Sequence, residues 1–247
     1  MEPKKPPEAM PSNLSSLYTL NNKIKVEKWY RDDTQLSTGE MKVYKKEQID
    51  IFTEQARNKK ENYYGKTDRW LFRALKKFPI KENKVAIMGS ATCWYESVCL
   101  AYGGKPTTIE YNKIISEHPS LKILTPGEYK NNTMGEFDAA ISISSFEHDG
   151  LGRYGDPLNP NGDIFAMKEL KKHVKSGGIL FLSVPVGKDK IVWNVHRIYG
   201  VIRLPLLLEG WEIMDIFGSW LHKIFIYRDT KKLASYQPVF VLKNVTD

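Results

Sequence analysis

Two stretches of the chain concentrate side chains able to move a proton or grip a hydroxylated ligand. The first, SSFEHDGLGRYGDPLNPNGD (144–163), carries Glu147, His148, Asp149, Arg153, Tyr154, Asp156 and Asp163 among four glycines. Imidazole titrates near neutral pH, so His148 is the candidate general base for a hydroxyl proton, with Glu147 or Asp149 to orient it. His148, Asp149, Asp156 and Asp163 could alternatively hold a divalent cation, but their spacing follows no ligand pattern and no metal is expected. The second stretch, VGKDKIVWNVHRIYG (186–200), offers His196 as a reserve base and Asn194, Arg197 and Tyr199 as recognition groups. With Arg153, Tyr154 and Asp156 these are the candidate acceptor-binding residues. Cys93 and Cys99 read as small buried side chains rather than nucleophiles.

A third group is defined by its place beside strands. KVAIMG (84–89) reads as a short buried strand, and the turn after it opens GSATCWYE from Gly89. Gly89 and the small Ser90 and Ala91 let the backbone come close to a ligand, yet neither GxGxxG nor GxxxxGK[ST] is present. A ligand without a pyrophosphate would need fewer glycines. Glu110 ends the next strand 21 residues after Gly89, where a carboxylate can accept from two ribose hydroxyls. Ser145, at the end of the strand FDAAISISS (137–145), joins Gly89, Ser90, Ala91 and Glu110 as a candidate cofactor-binding residue.

The elements that must position these groups are legible from residue 84 onward. Strands are expected at 84–89, 107–111, 121–124, 137–145, 179–186, 211–218 and 237–244. Helices are expected around 94–102 and after the turn NPNG (159–162), the second stopped by Gly177-Gly178. Strands alternating with helices and apolar on both faces imply a doubly wound, mostly parallel α/β sheet with an N-terminal helical extension. Residues 1–46 are expected to be a flexible or irregular extension, because four prolines fall in the first sixteen positions. The α/β domain with its leading helices is assigned to 47–247, those helices being 47–62 and KTDRWLFRALKKF.

Charge narrows the partners. The chain of 247 residues carries a net charge of +8. Residues 65–80 hold five basic and one acidic side chain, whereas residues 81–247 are nearly balanced at 20 and 18. Half of the excess therefore sits on one amphipathic helix with Trp70, Leu71, Ala74, Leu75 and Phe78 on its other face. It argues against a nucleic-acid substrate. No apolar run reaches membrane-span length and the start lacks a signal-peptide core, so the expected location is cytoplasmic.

VAIMGSATC, Glu110, FDAAISISSFEHDG and LKKHVKSGGILFLSVP together resemble class I S-adenosylmethionine-dependent methyltransferases over roughly residues 84–218. EHDGLGRYGDPLNPNGD and WNVHRIYG further resemble an uncharacterised methyltransferase-like family of unknown function associated with nematodes. The resemblance implies a Rossmann-like methyltransferase fold, S-adenosylmethionine as cofactor, and methyl transfer to a hydroxylated small molecule, sugar or glycan with His148 as base. The sequence departs from the first motif at Ile87, where an acid is usual, and at Ala91 and Cys93, where glycines are usual. A non-catalytic binding or scaffold protein on the same fold is the alternative.

Overall fold

The computed structural model describes residues 5–35, 41–89, 91–110, 113–131, 136–218 and 236–245. In chain order the elements are α1 (Ser12–Tyr18), β1 (Lys25–Trp29), β2 (Lys42–Tyr44), α2 (Lys46–Arg57), α3 (Lys66–Lys77), β3 (Lys84–Met88), α4 (Trp94–Ala101), β4 (Lys105–Ile109), β5 (Ile114–Ser116), β6 (Lys122–Leu124) and α5 (Pro126–Lys130). There follow β7 (Phe137–Ile143), a single 3-10 turn (Phe146–His148), α6 (Gly162–His173), β8 (Val174–Ser183), β9 (Lys190–Asn194), β10 (His196–Ile198), α7 (Arg203–Leu207), β11 (Trp211–Phe217) and β12 (Val239–Asn244).

Seven strands form the central sheet in the order β11-β12-β8-β7-β3-β4-β6. β3, β4, β6, β7 and β8 pair in parallel, and β12 runs antiparallel to both β8 and β11. The mostly parallel α/β sheet expected from the sequence is thus present. Alternation along each strand splits the core into two layers. Ala140, Leu180 and Leu182 face the α6–α7 side with Met167, Leu170 and Leu204. Ala139, Ile141 and Phe181 face α3 and α4, against Leu71, Leu75, Trp94 and Val98. The strand order reverses between β3 and its neighbour β7: the chain winds outward through β4 and β6, then returns to β3's other side. That reversal opens a crevice at the carboxyl ends of the two central strands.

Two expectations are corrected. Gly177-Gly178 does not stop α6: the helix ends at His173, Val174 is already extended at ψ 132°, and the glycine pair lies inside β8. The β7–β8 register shifts there, from Phe137↔Val174 to Ala139↔Ile179, which absorbs the extra residues as a bulge. A Cβ at Gly178 would lie 2.7 Å from Val174 Cγ1 and 2.9 Å from the Asp138 carbonyl, so the bulge requires glycine.

The proline-rich start, expected to stand clear of the body, packs on it instead. Proline removes a donor but leaves its carbonyl. The Pro6 oxygen accepts from Tyr30 Oη at 3.0 Å and the Pro7 oxygen from Trp193 Nε1 at 3.2 Å. Pro11 caps α1, and Tyr18 at its end is fully buried against Trp193 with ring centroids 5.3 Å apart. β1, expected to be irregular, pairs in parallel with β9 over five residues and makes a small sheet with β9 and β10.

The basic helix behaves as its pattern requires: Leu71, Phe72, Ala74 and Leu75 are buried while Lys66, Arg69, Arg73, Lys76 and Lys77 are exposed. Its charge is partly answered on the surface, Arg69 by Glu61 and Lys77 by Asp215 at 2.7 Å. No helix among the described residues is long and apolar enough to cross a membrane.

The N-terminal packing makes a direct prediction. The Tyr18 hydroxyl donates to the Gly150 carbonyl at 2.5 Å in a buried contact spanning 132 residues. Tyr18→Phe removes that bond, leaving the carbonyl the Asn159 N–H at 2.9 Å, and is expected to cost about 1 kcal/mol in urea denaturation. An unchanged unfolding midpoint would mean that residues 5–35 do not fold cooperatively with the sheet.

Candidate active site

At the crevice the turns after β3 and β7 touch. Gly89 adopts φ +70°, and a Cβ there would fall 2.5 Å from Ser145 Oγ. Only glycine permits both that backbone conformation and that approach. Its N–H donates to the Ile109 carbonyl at 3.1 Å, tying the turn to β4. Glu110 follows immediately, half-buried, its own N–H donating to Leu124 at 3.1 Å. The candidate cofactor residues Gly89, Ser145 and Glu110 therefore lie at the carboxyl ends of three adjacent strands. Ala91 is exposed on the same loop, its carbonyl accepting from Lys42 Nζ, and Ser90 lies outside the described residues.

The turn after β7 carries the acid–base residues. Glu147 is buried at 1 % exposure; its Oε1 accepts from Ser144 Oγ at 2.5 Å, and its Oε2 has no partner. Burial pushes its carboxyl up to about 7 despite the Ser144 bond and the nearby Arg153 and Arg197. His148 Nδ1 lies 2.6 Å from the Val195 carbonyl. A carbonyl can only accept, so Nδ1 carries the proton and Nε2 presents a lone pair. That Nε2 is 3.8 Å from Glu147 Oε1. Burial and the Arg153 charge push the imidazole down to about 3, which keeps it neutral across the working pH range. His196 is buried 6.4 Å from His148 between ring centroids, and burial lowers it to about 4.

The remaining candidates divide by what holds them. Arg153 donates to Asp33 Oδ2 at 2.6 Å, and its guanidinium lies 4.8 Å over the Tyr154 ring, which in turn stands edge-on to His148 at 5.6 Å. Asn194 Oδ1 accepts from the Arg31 N–H at 2.9 Å. Of these, Arg153 and Tyr154 border the imidazole. Asp149, Asp156, Arg197 and Tyr199 instead shape the loop. The Val195 carbonyl, not Asp149, holds the His148 ring, and burial beside Asp156 raises the Asp149 carboxyl well above its usual range. Asp156 accepts the N–H groups of Gly150 and Gly152 at 2.7 and 3.1 Å. Arg197, fully buried, donates to the carbonyls of Glu147, Asp149, Asn159 and Pro160. Tyr199 donates to Asp163 at 2.9 Å, and Asp163 takes two further bonds from Arg203 at 2.9 and 2.6 Å. With both aspartates saturated by donors, the alternative of a cation held by Asp156 and Asp163 does not fit. Cys93 and Cys99 are buried thiols, both raised by burial.

Sequence reasoning missed Ser144, Asp33, Arg203 and Tyr64, the last a tyrosine whose hydroxyl burial raises to about 12. Only Ser144 had a local signal, its position at the end of an apolar strand.

The family described as "Caenorhabditis protein of unknown function, DUF268" matches residues 82–244. No curated protein matches the chain. Among solved structures, the 1,6-didemethyltoxoflavin-N1-methyltransferase of Burkholderia thailandensis, crystallised with its substrate and S-adenosylhomocysteine, superposes with TM-score 0.52 at 12% identity, covering 99% of this chain and 94% of that one. The PH0226 protein of Pyrococcus horikoshii gives TM-score 0.49 at 14% identity over 81% and 99%. The first likeness shows a shared Rossmann-like methyltransferase fold.

Two stability measurements probe the site. Asp163, held below its usual range by Arg197 and Arg203, contributes stability above the ordinary carboxylate pKa that is lost as pH falls through its folded value. At neutral pH, Asp163→Asn strands two buried cations and is expected to cost about 3–5 kcal/mol in urea unfolding. Glu147 has the opposite sign: its folded pKa exceeds the unfolded one, so its contribution is full at low pH and lost as pH rises through about 7. Glu147→Gln is expected to match the parent near pH 4 and exceed it by roughly 2–3 kcal/mol at pH 8. A constant difference across pH would contradict a buried, raised carboxyl.

Proposed function

Because the chain belongs to the Caenorhabditis family of unknown function, DUF268, and has the methyltransferase fold, we propose that it is an S-adenosylmethionine-dependent methyltransferase. Its acceptor is a hydroxyl of a small molecule or sugar. The reading rests on one observation: the glycine turn after β3 meets the turn after β7 at the point of strand reversal, with His148 three residues beyond Ser145.

The residues fit the cofactor on two counts. Gly89 provides a turn that a Cβ would block, and Glu110 offers two acceptor oxygens at the end of β4 for vicinal ribose hydroxyls. Bound S-adenosylmethionine supplies a methyl group on a sulfonium, open to in-line attack. The likeness to the Burkholderia enzyme, which holds S-adenosylhomocysteine, supports the same assignment.

His148 is the base in this reading. Its Nδ1–H is committed to Val195, so the ring cannot rotate without losing that bond, and Nε2 accepts the acceptor's hydroxyl proton. Glu147, 3.8 Å away, offsets the imidazolium charge when it is ionised. Tyr154 and Arg153 wall the imidazole, and His196 borders it with a polar ring suited to hydroxyls. The fold also suits a non-catalytic binding protein. The observation behind that second reading is Ile87, buried in the core at the position where an acid is usual.

Calorimetry separates the two. Binding of S-adenosylmethionine is expected, weakened about 10–100-fold by Glu110→Ala through loss of charge-assisted hydrogen bonds. His148→Gln is expected to leave that affinity unchanged and lower methyl transfer by about 10²–10⁴-fold. Absence of binding at millimolar cofactor would sink the enzymatic reading and leave the scaffold.

A further inference from the structure

Ser144, at the crevice, is a non-glycine residue in the left-handed backbone region. It sits at φ +54°, a region that non-glycine residues rarely occupy, directly after the last residue of β7. Its N–H donates to the Ser183 carbonyl at 2.8 Å, so the conformation is locked to β8. The strained turn reverses the chain and aims the hydroxyl at Glu147 Oε1, 2.5 Å away. Gln237 Nε2, just before β12, donates to Ser144 Oγ at 3.4 Å. Ser144 therefore accepts from behind and donates forward. Its bond is the only side-chain hydrogen bond to Glu147 among the described residues, since Oε2 has none.

We infer that Ser144 is a positioning residue for the Glu147–His148 couple: its hydroxyl supplies the bond that lets a buried carboxylate face the imidazole in ionised form. This rests on the reading of His148 as base, where Glu147 must carry charge to offset the imidazolium. Glycine would fit the backbone without strain, so a serine there is explained by its hydroxyl. The charged and titratable groups around Glu147 include Arg153, Arg197, His148, Asp149, Tyr64, Tyr154 and Tyr199. The two arginines favour the carboxylate from a distance, but both spend hydrogen bonds elsewhere, Arg153 on Asp33 and Arg197 on backbone carbonyls. Ser144 is the side-chain donor among the described residues, ahead of the backbone N–H of Glu147 itself in favouring the ionised form. With bound S-adenosylmethionine as methyl donor, the acceptor oxygen would bond the methyl carbon as the carbon–sulfur bond breaks, while His148 Nε2 takes the hydroxyl proton. The positive charge would thus pass from sulfur to an imidazole 3.8 Å from the carboxylate that Ser144 holds.

The test uses the full chain with 13C-carboxyl glutamate, the Glu147 signal being assigned by its loss in Glu147→Gln. Titration by NMR reads the Glu147 midpoint in the parent, Ser144→Gly and Ser144→Ala. Both variants are expected to raise the midpoint by about one pH unit, because each removes the donor to the ionised form. Ser144→Gly, which relieves the positive φ, is also expected to fold at least as stably as the parent, so a folding defect in the alanine variant leaves the test intact. A Ser144→Gly midpoint equal to the parent's would overturn the inference and leave only a backbone role. Where methyl transfer is measured, its acid limb moves up with the NMR midpoint in the glycine variant; an unmoved limb counts against the inference. A shifted midpoint in a protein that binds no cofactor would support Ser144's role while removing the enzymatic reading.

Discussion

The buried carboxylate of Asp163 holds the acid–base edge of this molecule together. It opens α6 and takes hydrogen bonds from Tyr199 and Arg203, with Arg197 alongside. Each partner lies on the 196–207 segment, so one side chain fixes that segment to the helix following the long polar loop. Arg197 extends the same clamp by donating to carbonyls along residues 147–160. A loop of this length in open water would sample many conformations. Here its carbonyls are held by a guanidinium that is itself charge-balanced, and Asp156 gathers the amides of Gly150 and Gly152. The position of His148 is a consequence, because its ring hangs on the Val195 carbonyl, one residue before the clamped segment begins.

Within that frame the two catalytic candidates are pushed in opposite directions by one cause. Burial penalises charge, raising the Glu147 carboxyl to about 7 and lowering the His148 imidazole to about 3. In the resting site the imidazole is neutral and the carboxyl is poised between its two forms. The pair thus holds its ionisable partner near neutrality without fixing a permanent charge. Arg153 works on both, favouring the carboxylate and disfavouring the imidazolium, while its own charge is paired with Asp33.

Most of the sheet was legible in the sequence because its strands are buried on both faces and read as continuous apolar runs. VAIMG, FDAAISI and ILFLS have no helical period to confuse them. The glycine pair at 177–178 misled, since helix stop and strand bulge demand the same residue for different reasons. The proline-rich start misled in another way: local propensity excluded helix and central strand, but Pro6 and Pro7 act through carbonyls whose partners lie far along the chain. The site was half legible. Gly89, Glu110, Glu147 and His148 stand at strand ends, where position alone marks them. Arg197 and Tyr199 looked like ligand-binding groups because a buried clamp and a recognition surface use the same residue types. Asp33 and Arg203 carried no signal: one is a surface-type aspartate in an irregular lead-in, the other is set among leucines.

The division between family-matched and unmatched residues also divides the site. The match begins at residue 82, so Gly89, Glu110, Ser145, Glu147 and His148 all fall within it. Trp29, Arg31 and Asp33 fall outside, yet each touches an acid–base or acceptor candidate: Trp29 stands edge-on to His196 at 6.2 Å, Arg31 bonds Asn194, and Asp33 pairs with Arg153. The parallel pairing of β1 with β9 brings all three there, since Trp29 is in register with Asn194. A cofactor half built by the matched sheet and an acceptor half completed by the preceding segment would change independently. Substitutions before residue 82 can then alter what is recognised without disturbing the strand reversal at Gly89. On the proposed reading, the N-terminal segment would bear on acceptor recognition through its contacts with Arg153, Asn194 and His196.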